Sequence, residues 1–561
     1  MKTNRIVNII KVSAFALFTG VISTSCLDQL EEETYGKYSA DTYFDTTGKM
    51  EMAVNGIYET FSSITTYGQY WQVYGDCDTD IAHVKGAGTG HVARDLGHYN
   101  AYAEHSWLQS SWELYYQGID RANTILDQKD NVVINGESDQ LVFNRLVAQT
   151  KCMRAMCYLD LVRLWGDVPL KLDPSKDGDN FKLPKTDRDE VYAQIITDLK
   201  EAIPGLLWCD DSNQKGERLS KGAAMGLLAR AYLFRGGYSL YQDKSIKRPG
   251  NYKEYYQAAQ TVLNELISSG KHGLIDADGT YSSGYEKNFR NMCELKYDPF
   301  ENICEISFYN PTGQNAGASN MGTYNGPEIN VNSIYGRANS FIKTHKFFYE
   351  TFDEKDLRRD VAVATFSINA NSKIVEIAEK NSQNWSPGKW RRNWQTAAIK
   401  DNNNTDVNFP LLRYADVLLM SAEVENELND GPNDLAIERV NQVRRRAFGK
   451  PYLTANADVD LKTSDFAGKD DFFNFIVAER GRELCFEGNR RLDLIRWNLL
   501  KETIATTSQN FLSYYNGQEG LGSNYTYAAG SRFVSGKHEL YPIPAREVRE
   551  TLGSVSQNPG Y

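Results

Sequence analysis

The sequence lacks several features that would assign it to common functional classes. Its longest apolar run, residues 12–22, has about half of the roughly 20 residues that a membrane-spanning helix needs. It has no basic tract, and its net charge of -11 argues against a nucleic-acid partner, because such affinity rests mainly on neutralising phosphates. GxSxG, P-loop, HExxH and strand-linked GxGxxG motifs are all missing. These absences favour binding over catalysis.

The cysteines and histidines follow no pattern of metal or redox chemistry. Apart from Cys26, seven cysteines remain, an odd number with no pair at CxxC spacing. This argues against both a zinc motif and a disulfide framework. His83, His91, His98 and His105 fall in one aromatic, glycine-rich stretch, but their spacing matches no metal motif. The sequence therefore predicts no metal site and no cofactor.

The N-terminus is organised as a secretory signal peptide. Lys2, Arg5 and Lys11 precede the apolar residues 12–22, which lead into the small residues 23–25. Residues 1–25 are therefore predicted to be removed, so they contribute nothing to the fold.

Cys26 directly follows these small residues and resembles the acylated cysteine of a bacterial lipoprotein. Ser23 departs from the Leu or Ile usual at that position, and the alternative is an ordinary signal peptide that leaves Cys26 as a free thiol. Several acyl chains would anchor the protein, because each buried methylene contributes about 0.8 kcal/mol. Residues 26–38 would then be a lipidated linker, in which the acidic run 31–33 either resembles an outer-face sorting signal or is simply solvated.

Helical periodicity dominates the remainder of the chain. Between residues 188 and 203, Val191, Ile195 and Leu199 recur every four residues, with Thr186 and Asp189 spaced like a capping box. Similar apolar stripes lie within residues 153–164, 224–231, 258–266, 418–422 and 436–447. Because 561 residues exceed what one core usually serves, we predict a mainly α, tetratricopeptide-like helical repeat, although the full 34-residue signature is not kept.

Three glycine-, asparagine- and tyrosine-rich stretches interrupt this pattern, at residues 67–105, 276–337 and 381–408. Long irregular segments in a helical chain are usually functional or disordered, and their many aromatics argue against disorder. We predict loop insertions there. Short strand-like runs at 302–308 and 540–544 predict a minor β component.

Several blocks of the sequence resemble the SusD/RagB family of outer-membrane lipoproteins, named for the starch-utilisation-system D protein. They are RAMCYLDLVRLWGDVPL (154–170), LSKGAAMGLLARAYLFRGGY (219–238), PLLRYADVLLMSAEVENEL (410–428), NQVRRRAFG (441–449), AERGRELCFEGNRRLDLIRW (478–497), LYPIPAREV (540–548) and the final QNPGY. The resemblance runs from Cys26 to the last residue. It implies one domain over residues 39–561, a helical-repeat platform with irregular loops above it.

The block at 478–497 places opposite charges at helical spacing, including Glu479, Arg480, Glu483 and Arg490. We interpret it as an ion-pair network that ties helices together. The alternative is a glycosidase acid/base pair. Surrounding guanidinium groups would lower the carboxyl pKa values and impair the acid, which disfavours that alternative.

The loops combine aromatic rings with hydrogen-bonding side chains, and this mixture suits sugars, whose flat C–H faces are edged by hydroxyls. One stacked ring buries about 50 Å² and contributes only about 1 kcal/mol, so we predict an arc of two or more rings. For any single ring the alternative is core packing, which the helical spacing of Trp107, Trp112, Tyr115 and Tyr116 predicts. The candidate glycan-binding residues are Tyr70, Trp71, Tyr74, Asp80, Tyr309, Asn310, Tyr324, Asn325, Tyr335, Arg337 and Trp385.

The resemblance implies a non-catalytic, cell-surface protein for nutrient uptake. It would capture an oligo- or polysaccharide and deliver it to a SusC-like TonB-dependent transporter in the outer membrane. Two alternatives stay open at this point: a glycoside hydrolase acting on the same glycan, and a purely structural lid for the transporter.

Overall fold

The computed structural model describes residues 43–309, 317–395, 403–515 and 527–561. The predicted signal peptide, Cys26, the linker and Asn310 lie outside the described residues. Helices dominate the described residues: α1 Thr47–Phe61, α2 Tyr70–Asp76, α3 Val92–Gly97, α4 Ser106–Gln128, α5 Glu137–Trp165, α6 Arg188–Ala202, α7 Lys221–Gly236, α8 Tyr252–Ser268, α9 Gly284–Cys293, α10 Lys346–Tyr349, α11 Arg359–Ala362, α12 Tyr414–Leu428, α13 Asp434–Ala447, α14 Lys469–Glu483, α15 Arg490–Arg496, α16 Leu500–Tyr515, α17 Ala528–Arg532 and α18 Ala545–Glu550.

Short strands make up the minor β component that the sequence predicts. In the described residues their bounds are β1 Ala82–Val84, β2 Ser239–Leu240, β3 Ile246–Lys247, β4 Cys304–Ile306, β5 Ile342–Thr344, β6 Val363–Ala364, β7 Phe366–Ile368, β8 Ile374–Glu376, β9 Ser386–Pro387 and β10 Phe409–Leu412. They pair as two-stranded antiparallel ladders, β1 with β5, β2 with β3, β4 with β10, β6 with β9 and β7 with β8.

Consecutive helices pack against one another as a repeat. Helix α5 packs on α6, α6 on α7, α7 on α8, α8 on α12 and α12 on α13. Small residues permit the close approach: a Cβ on Gly236 of α7 would lie 3.1 Å from the ring of Tyr256 on α8. The mainly α, tetratricopeptide-like architecture is confirmed.

Local chemistry sets the helix ends. Helix α5 stops at Gly166, whose φ of 75° suits a residue without a Cβ and whose N–H donates to Val162 O at 3.0 Å. Helix α6 covers the predicted segment, but the expected capping box does not form. Asp187, not Thr186, is the N-cap, because its own carboxylate accepts from the N–H of Asp189 at 2.7 Å.

The predicted loops are more regular than expected. Residues 67–105 contain α2, β1 and α3, and residues 276–337 contain α9 and β4. The strand predicted within 302–308 is present as β4. The strand predicted at 540–544 is wrong: this segment is extended but unpaired, and it is fixed by single bonds such as Tyr541 N–H to Leu164 O at 2.9 Å.

A cluster of buried charges joins α12, α13 and α14. We call the side chains of Arg358, Arg413, Arg446, Glu301 and Glu483 the arginine cluster. Glu483 accepts hydrogen bonds from all three arginines, at 3.0 Å from Arg358, 3.1 Å from Arg413 and 2.6 Å from Arg446. Glu301 accepts from Arg413 at 2.8 Å and Arg446 at 2.9 Å. The five side chains are almost completely buried.

A second group of ion pairs lies beside the arginine cluster. Asp416 of α12 accepts from Arg230 and Arg480, each at 2.6 Å. Burial raises the pKa of Asp416, but attraction to Arg480 and Arg230 outweighs burial and holds the pKa well below its usual range. For Glu479, likewise, burial is outweighed by Arg358 and Arg482, so its pKa is also low. The network interpretation of block 478–497 is confirmed.

The seven cysteines of the described residues are all free thiols, and only Cys209 is not fully buried. Burial raises the pKa of the six buried ones; for example, it raises the pKa of Cys304 to about 12. They behave as small core residues.

Removing one arginine tests how much the arginine cluster contributes to the stability of the fold. Arg413→Met should lower the free energy of unfolding by roughly 3–5 kcal/mol, because Glu301, Glu483 and Glu487 would lose a partner in a buried site. Thermal unfolding measures this. Arg546→Met, at an exposed pair with Glu113, is the matched control and should leave Tm unchanged. Equal Tm values for both variants would show that the cluster is not structural.

Candidate functional site

The ladder of β1 and β5 brings distant segments together at the surface. Val84 pairs with Ile342, and just beyond them the N–H of Lys85 donates to Phe341 O at 2.8 Å. The N–H of Ile342 donates to Tyr324 O at 3.0 Å. Phe341 is thereby fixed between the first and second of the predicted loop regions.

Five aromatic side chains gather around this point, and we call them the ring face: Tyr70, His91, Trp107, Tyr324 and Phe341. Phe341 stacks on His91 with ring centroids 4.8 Å apart and on Tyr324 at 5.0 Å, each at an interplanar angle of 27°. Tyr70 stacks on Trp107 at 3.8 Å and 8°. Trp107 is buried, whereas the other four rings are half-buried and so reach the surface.

Contacts between distant segments connect the halves of the ring face. The side chain of Gln69, next to Tyr70, lies near the hydroxyl of Tyr324 and opposes the rise that burial causes in its pKa. The ring of His105, close to Trp107 in the chain, bonds Val92 O through Nε2 at 2.9 Å. Burial raises the pKa of Tyr70 to about 12 and also raises that of Tyr324, and burial followed by Arg94 lowers the pKa of His91. The rings are therefore uncharged at neutral pH.

Charged side chains border the rings. The guanidinium carbon of Arg94 lies 5.6 Å from the Phe341 ring centroid, and its Nε–H donates to Lys85 O at 2.8 Å. Lys85 pairs with Glu328 at 3.3 Å, and both side chains are about half exposed. Gly86 passes over Arg94 with φ at 85°, and a Cβ there would lie 3.1 Å from Arg94 Nε, so glycine suits this position.

Flat rings beside donors and acceptors can stack on the C–H face of a sugar while its hydroxyls bond to the border. Of the predicted residues, Tyr70 and Tyr324 belong to the ring face. Tyr335 is half-buried on a small cluster with Ile329 and Ala338, and Arg337 is exposed. Tyr309 is 70% exposed beside a separate cavity. Their part in binding stays a prediction.

Two predicted platforms, Trp71 and Tyr74, lie in the core, which corrects their assignment to the surface. Both sit on α2, which is buried along most of its length because α15 packs on it. Trp71 is 1% exposed, its indole N–H donates to Gly488 O at 3.1 Å, and Arg163 lies over its ring. The Tyr74 hydroxyl shares a hydrogen bond with Ser111 at 3.0 Å.

Asn325 and Trp385 are also interior, so their assignment to the surface is wrong. Asn325 accepts from the N–H of Gly322 and shapes a turn, and Trp385 donates to Ile377 O at 3.3 Å. Asp80 is partly exposed but is held by Arg490 through two hydrogen bonds, at 2.6 and 2.9 Å. Its structural role is therefore evident.

The core assignment of the α4 aromatics is confirmed for Trp112 and Tyr115, which are buried, and Tyr116 is partly buried. Trp107 is buried too, yet one of its faces stacks on Tyr70.

The sequence pattern does not indicate His91, Arg94 or Phe341 as glycan-binding candidates. The glycine-rich run 86–90 and the histidines near it are the sequence features that could have indicated His91 and Arg94. No sequence feature indicates Phe341, because its position depends on strand pairing between distant parts of the chain.

Within the described ranges, no three histidine, cysteine or acidic side chains converge in a way that could hold a metal ion. Across the same ranges, no helix combines the length and apolar character needed to cross a bilayer.

Comparison with known proteins identifies the architecture. Residues 276–561, more than half of the chain, match the model of the SusD family. The chain belongs to the SusD family. Residues 28–233 match a second model, described as starch-binding and associating with the outer membrane.

Relatives extend over almost the whole chain of this SusD-family protein. SusD-like protein P25 of Formosa agariphila is 28% identical and aligns with 99% of this chain and 100% of its own. The crystal structure of a SusD homolog from Bacteroides thetaiotaomicron is 30% identical, with a TM-score of 0.83 over 93% of this chain and 98% of that one. Surface glycan-binding protein A from the same species, solved with laminarihexaose, shares the fold: TM-score 0.67, 20% identity, covering 91% and 99%.

Trp71→Ala distinguishes a core position from a surface platform. The substitution should lower the free energy of unfolding by roughly 3–5 kcal/mol, because it empties a closely packed site and leaves Gly488 O without its donor. Thermal unfolding against Tyr102→Ala, whose ring is 44% exposed, provides the comparison. A Tm as high as that of the control would place Trp71 at the surface after all.

Proposed function

We propose that this protein captures oligo- or polysaccharides on the ring face and holds them without cleaving them. The observation that carries this proposal is the stack of His91, Phe341 and Tyr324 beside the stacked pair Tyr70 and Trp107. The second family model and the relative solved with laminarihexaose support a glycan as the ligand.

The energetics favour a ligand of several sugar units. One stacked ring contributes about 1 kcal/mol, whereas micromolar to millimolar affinity corresponds to roughly 4–8 kcal/mol. The two halves of the ring face offer two platforms, and Arg94, Lys85 and Glu328 border them with hydrogen-bonding groups. An oligosaccharide lying across both halves gains from each.

The densest carboxylates do not suit catalysis. Burial of Glu483 is outweighed by Arg446, Arg413 and Arg358, so its pKa is lowered and it stays ionised. A glycosidase acid needs a raised pKa instead. At the ring face Asp95 accepts from the N–H of Gly90 at 3.1 Å and from Asn100 at 2.9 Å, which ties it to its own loop. These contacts support binding without hydrolysis.

The proposed location of the protein is the cell surface. Residues 1–25 would be removed, Cys26 acylated, and residues 26–38 would link the anchor to the domain at 39–561. The described outer-membrane association of the second family model supports this location. From there the protein would deliver its glycan to a SusC-like TonB-dependent transporter.

Substitutions in the ring face test the binding proposal. Phe341→Ala and Tyr324→Ala, in the chain lacking residues 1–26, should each weaken laminarihexaose or malto-oligosaccharide binding about fivefold to tenfold. Tyr324→Ala removes one platform worth about 1 kcal/mol, and Phe341→Ala removes the ring on which His91 and Tyr324 both stack. Calorimetry measures the affinity. Phe181→Ala, an exposed aromatic on another loop, is the matched control and should bind like the parent.

Three outcomes would contradict the binding proposal. Parental affinity in both ring-face variants would place the glycan elsewhere. Reducing-sugar release by the purified chain would favour a glycoside hydrolase. Binding that requires the transporter would favour a structural lid.

Cys26→Ser tests the anchor separately. The variant should leave the membrane fraction and appear in soluble fractions, because no acyl chain could be attached. Fractionation with immunodetection measures the distribution. A variant that stays membrane-bound after a carbonate wash would argue against lipidation.

A further inference from the structure

A half-open cavity of about 200 Å³ lies between α1, α5 and β4, on residues that the structure describes throughout. Its floor is apolar, formed by Phe61, Met153 and Met156, and its border includes Tyr58, Glu217 and Glu305. None of these side chains belongs to the ring face. The volume is below the 300–1,000 Å³ of pockets for drug-sized ligands, so it suits a single small ring.

Glu305 is the unusual group of this cavity. It lies on β4 and is 5% exposed. Its Oε2 accepts from the side-chain amide of Asn408 at 2.8 Å, but its Oε1 is buried without a hydrogen-bond partner. A buried acceptor without a partner costs free energy, so a donor brought by a ligand would stabilise this oxygen.

A second cavity of about 220 Å³ meets the first at the same two carboxylates, since Glu217 and Glu305 line both. Glu217 makes no ion pair with any described residue. Lys215 and Arg218 line the first cavity and Lys296 lines the second, but each pairs with another carboxylate: Arg218 with Glu51 at 3.1 Å, Lys215 with Glu51 at 3.6 Å, and Lys296 with Glu294 at 2.6 Å. Neither carboxyl group at the junction therefore has a cationic partner.

The charged groups that face Glu305 act in the same direction as burial. Burial raises its pKa to about 8, the carboxylates of Glu217 and Asp298 raise the pKa further, and the side-chain amides of Asn408 and Asn302 oppose this rise. Tyr297 and Cys304 also lie near, and burial raises the pKa of each, so both are neutral. A positive charge is the missing element at this junction.

We propose that Glu217 and Glu305 bind the ammonium group of a small organic cation whose carbon skeleton lies against Phe61, Met153 and Met156. The chemical class is a primary amine on a single polar ring, of which a hexosamine is the simplest sugar example. An ammonium group supplies donors for Oε1 of Glu305 and offsets the charge of Glu217, whereas the thioethers and the ring contact the apolar face. This site is independent of the glycan site.

Binding should be linked to proton release. In the empty site at pH 7 Glu305 is mostly protonated, because its pKa is about 8. An adjacent ammonium favours the carboxylate, so close to one proton should leave when the ligand binds, and this release should fade as the pH rises above 8.

Calorimetry of the full chain with D-glucosamine, at pH 7 in phosphate and in Tris, tests the proposal. Glucosamine should bind at least tenfold more tightly than D-glucose, which has a hydroxyl in place of the amine. Its apparent enthalpy should differ between the two buffers, because the buffer takes up the released proton. Equal affinity for glucose, or no dependence on the buffer, would overturn the proposal. Displacement of glucosamine by potassium ions at equal ionic strength would assign an inorganic cation instead, which also overturns it.

Glu217→Gln and Glu305→Gln should each weaken glucosamine binding at least tenfold, and Glu305→Gln should also abolish the buffer dependence. Glu502→Gln, exposed on α16, is the matched control and should change neither. Phe341→Ala should keep glucosamine binding, which separates this site from the ring face. Unchanged affinity in both acidic variants would overturn the proposal.

The Glu305→Gln variant also reports on the empty site through stability. Glu305 has a pKa raised from 4.5 to about 8 in the folded state, so the folded state binds more protons and loses stability as the pH rises between these values. Glutamine lacks this titration. The Tm of the variant relative to the parent should therefore rise across that range and level off above pH 8. A constant difference in Tm would show that the carboxyl group is ionised throughout, which would overturn the expected proton release.

Discussion

One buried carboxylate, Glu483, connects distant parts of the chain because it accepts hydrogen bonds from three arginines. Charges in such a site are costly to bury and become favourable only when every partner is present. Arg358, Arg413 and Arg446 therefore all stabilise the packing of α12, α13 and α14. The arrangement fixes the relative positions of these helices and supports the loops that they carry.

Much of the helical scaffold could be predicted from the sequence, because periodic apolar positions show which side of a helix is buried. The charges of residues 478–497 were equally informative, since opposite signs at helical spacing predict ion pairs. The capping of α6 was less predictable. Thr186 and Asp187 are both good capping residues, and only the backbone path decides between them.

The ring face was harder to predict for a physical reason. Tyrosine and tryptophan are amphipathic, so composition cannot separate a surface platform from a core residue with a hydrogen-bonded tip. Tyr70 and Trp71 are adjacent in sequence, yet one reaches the surface and the other is 1% exposed, because the short helix α2 is covered on most sides. Phe341 acquires its position from pairing with residues more than two hundred positions earlier.

The three-residue ladder of β1 and β5 has a consequence for how the protein matures. It joins Ala82 to Thr344 and so closes a very long stretch of chain, the kind of non-local contact that forms slowly during folding. During synthesis from the N-terminus, Tyr70 and His91 emerge well before Phe341. The ring face therefore cannot form on a chain that ends before Phe341, and it assembles only once both of its halves are present.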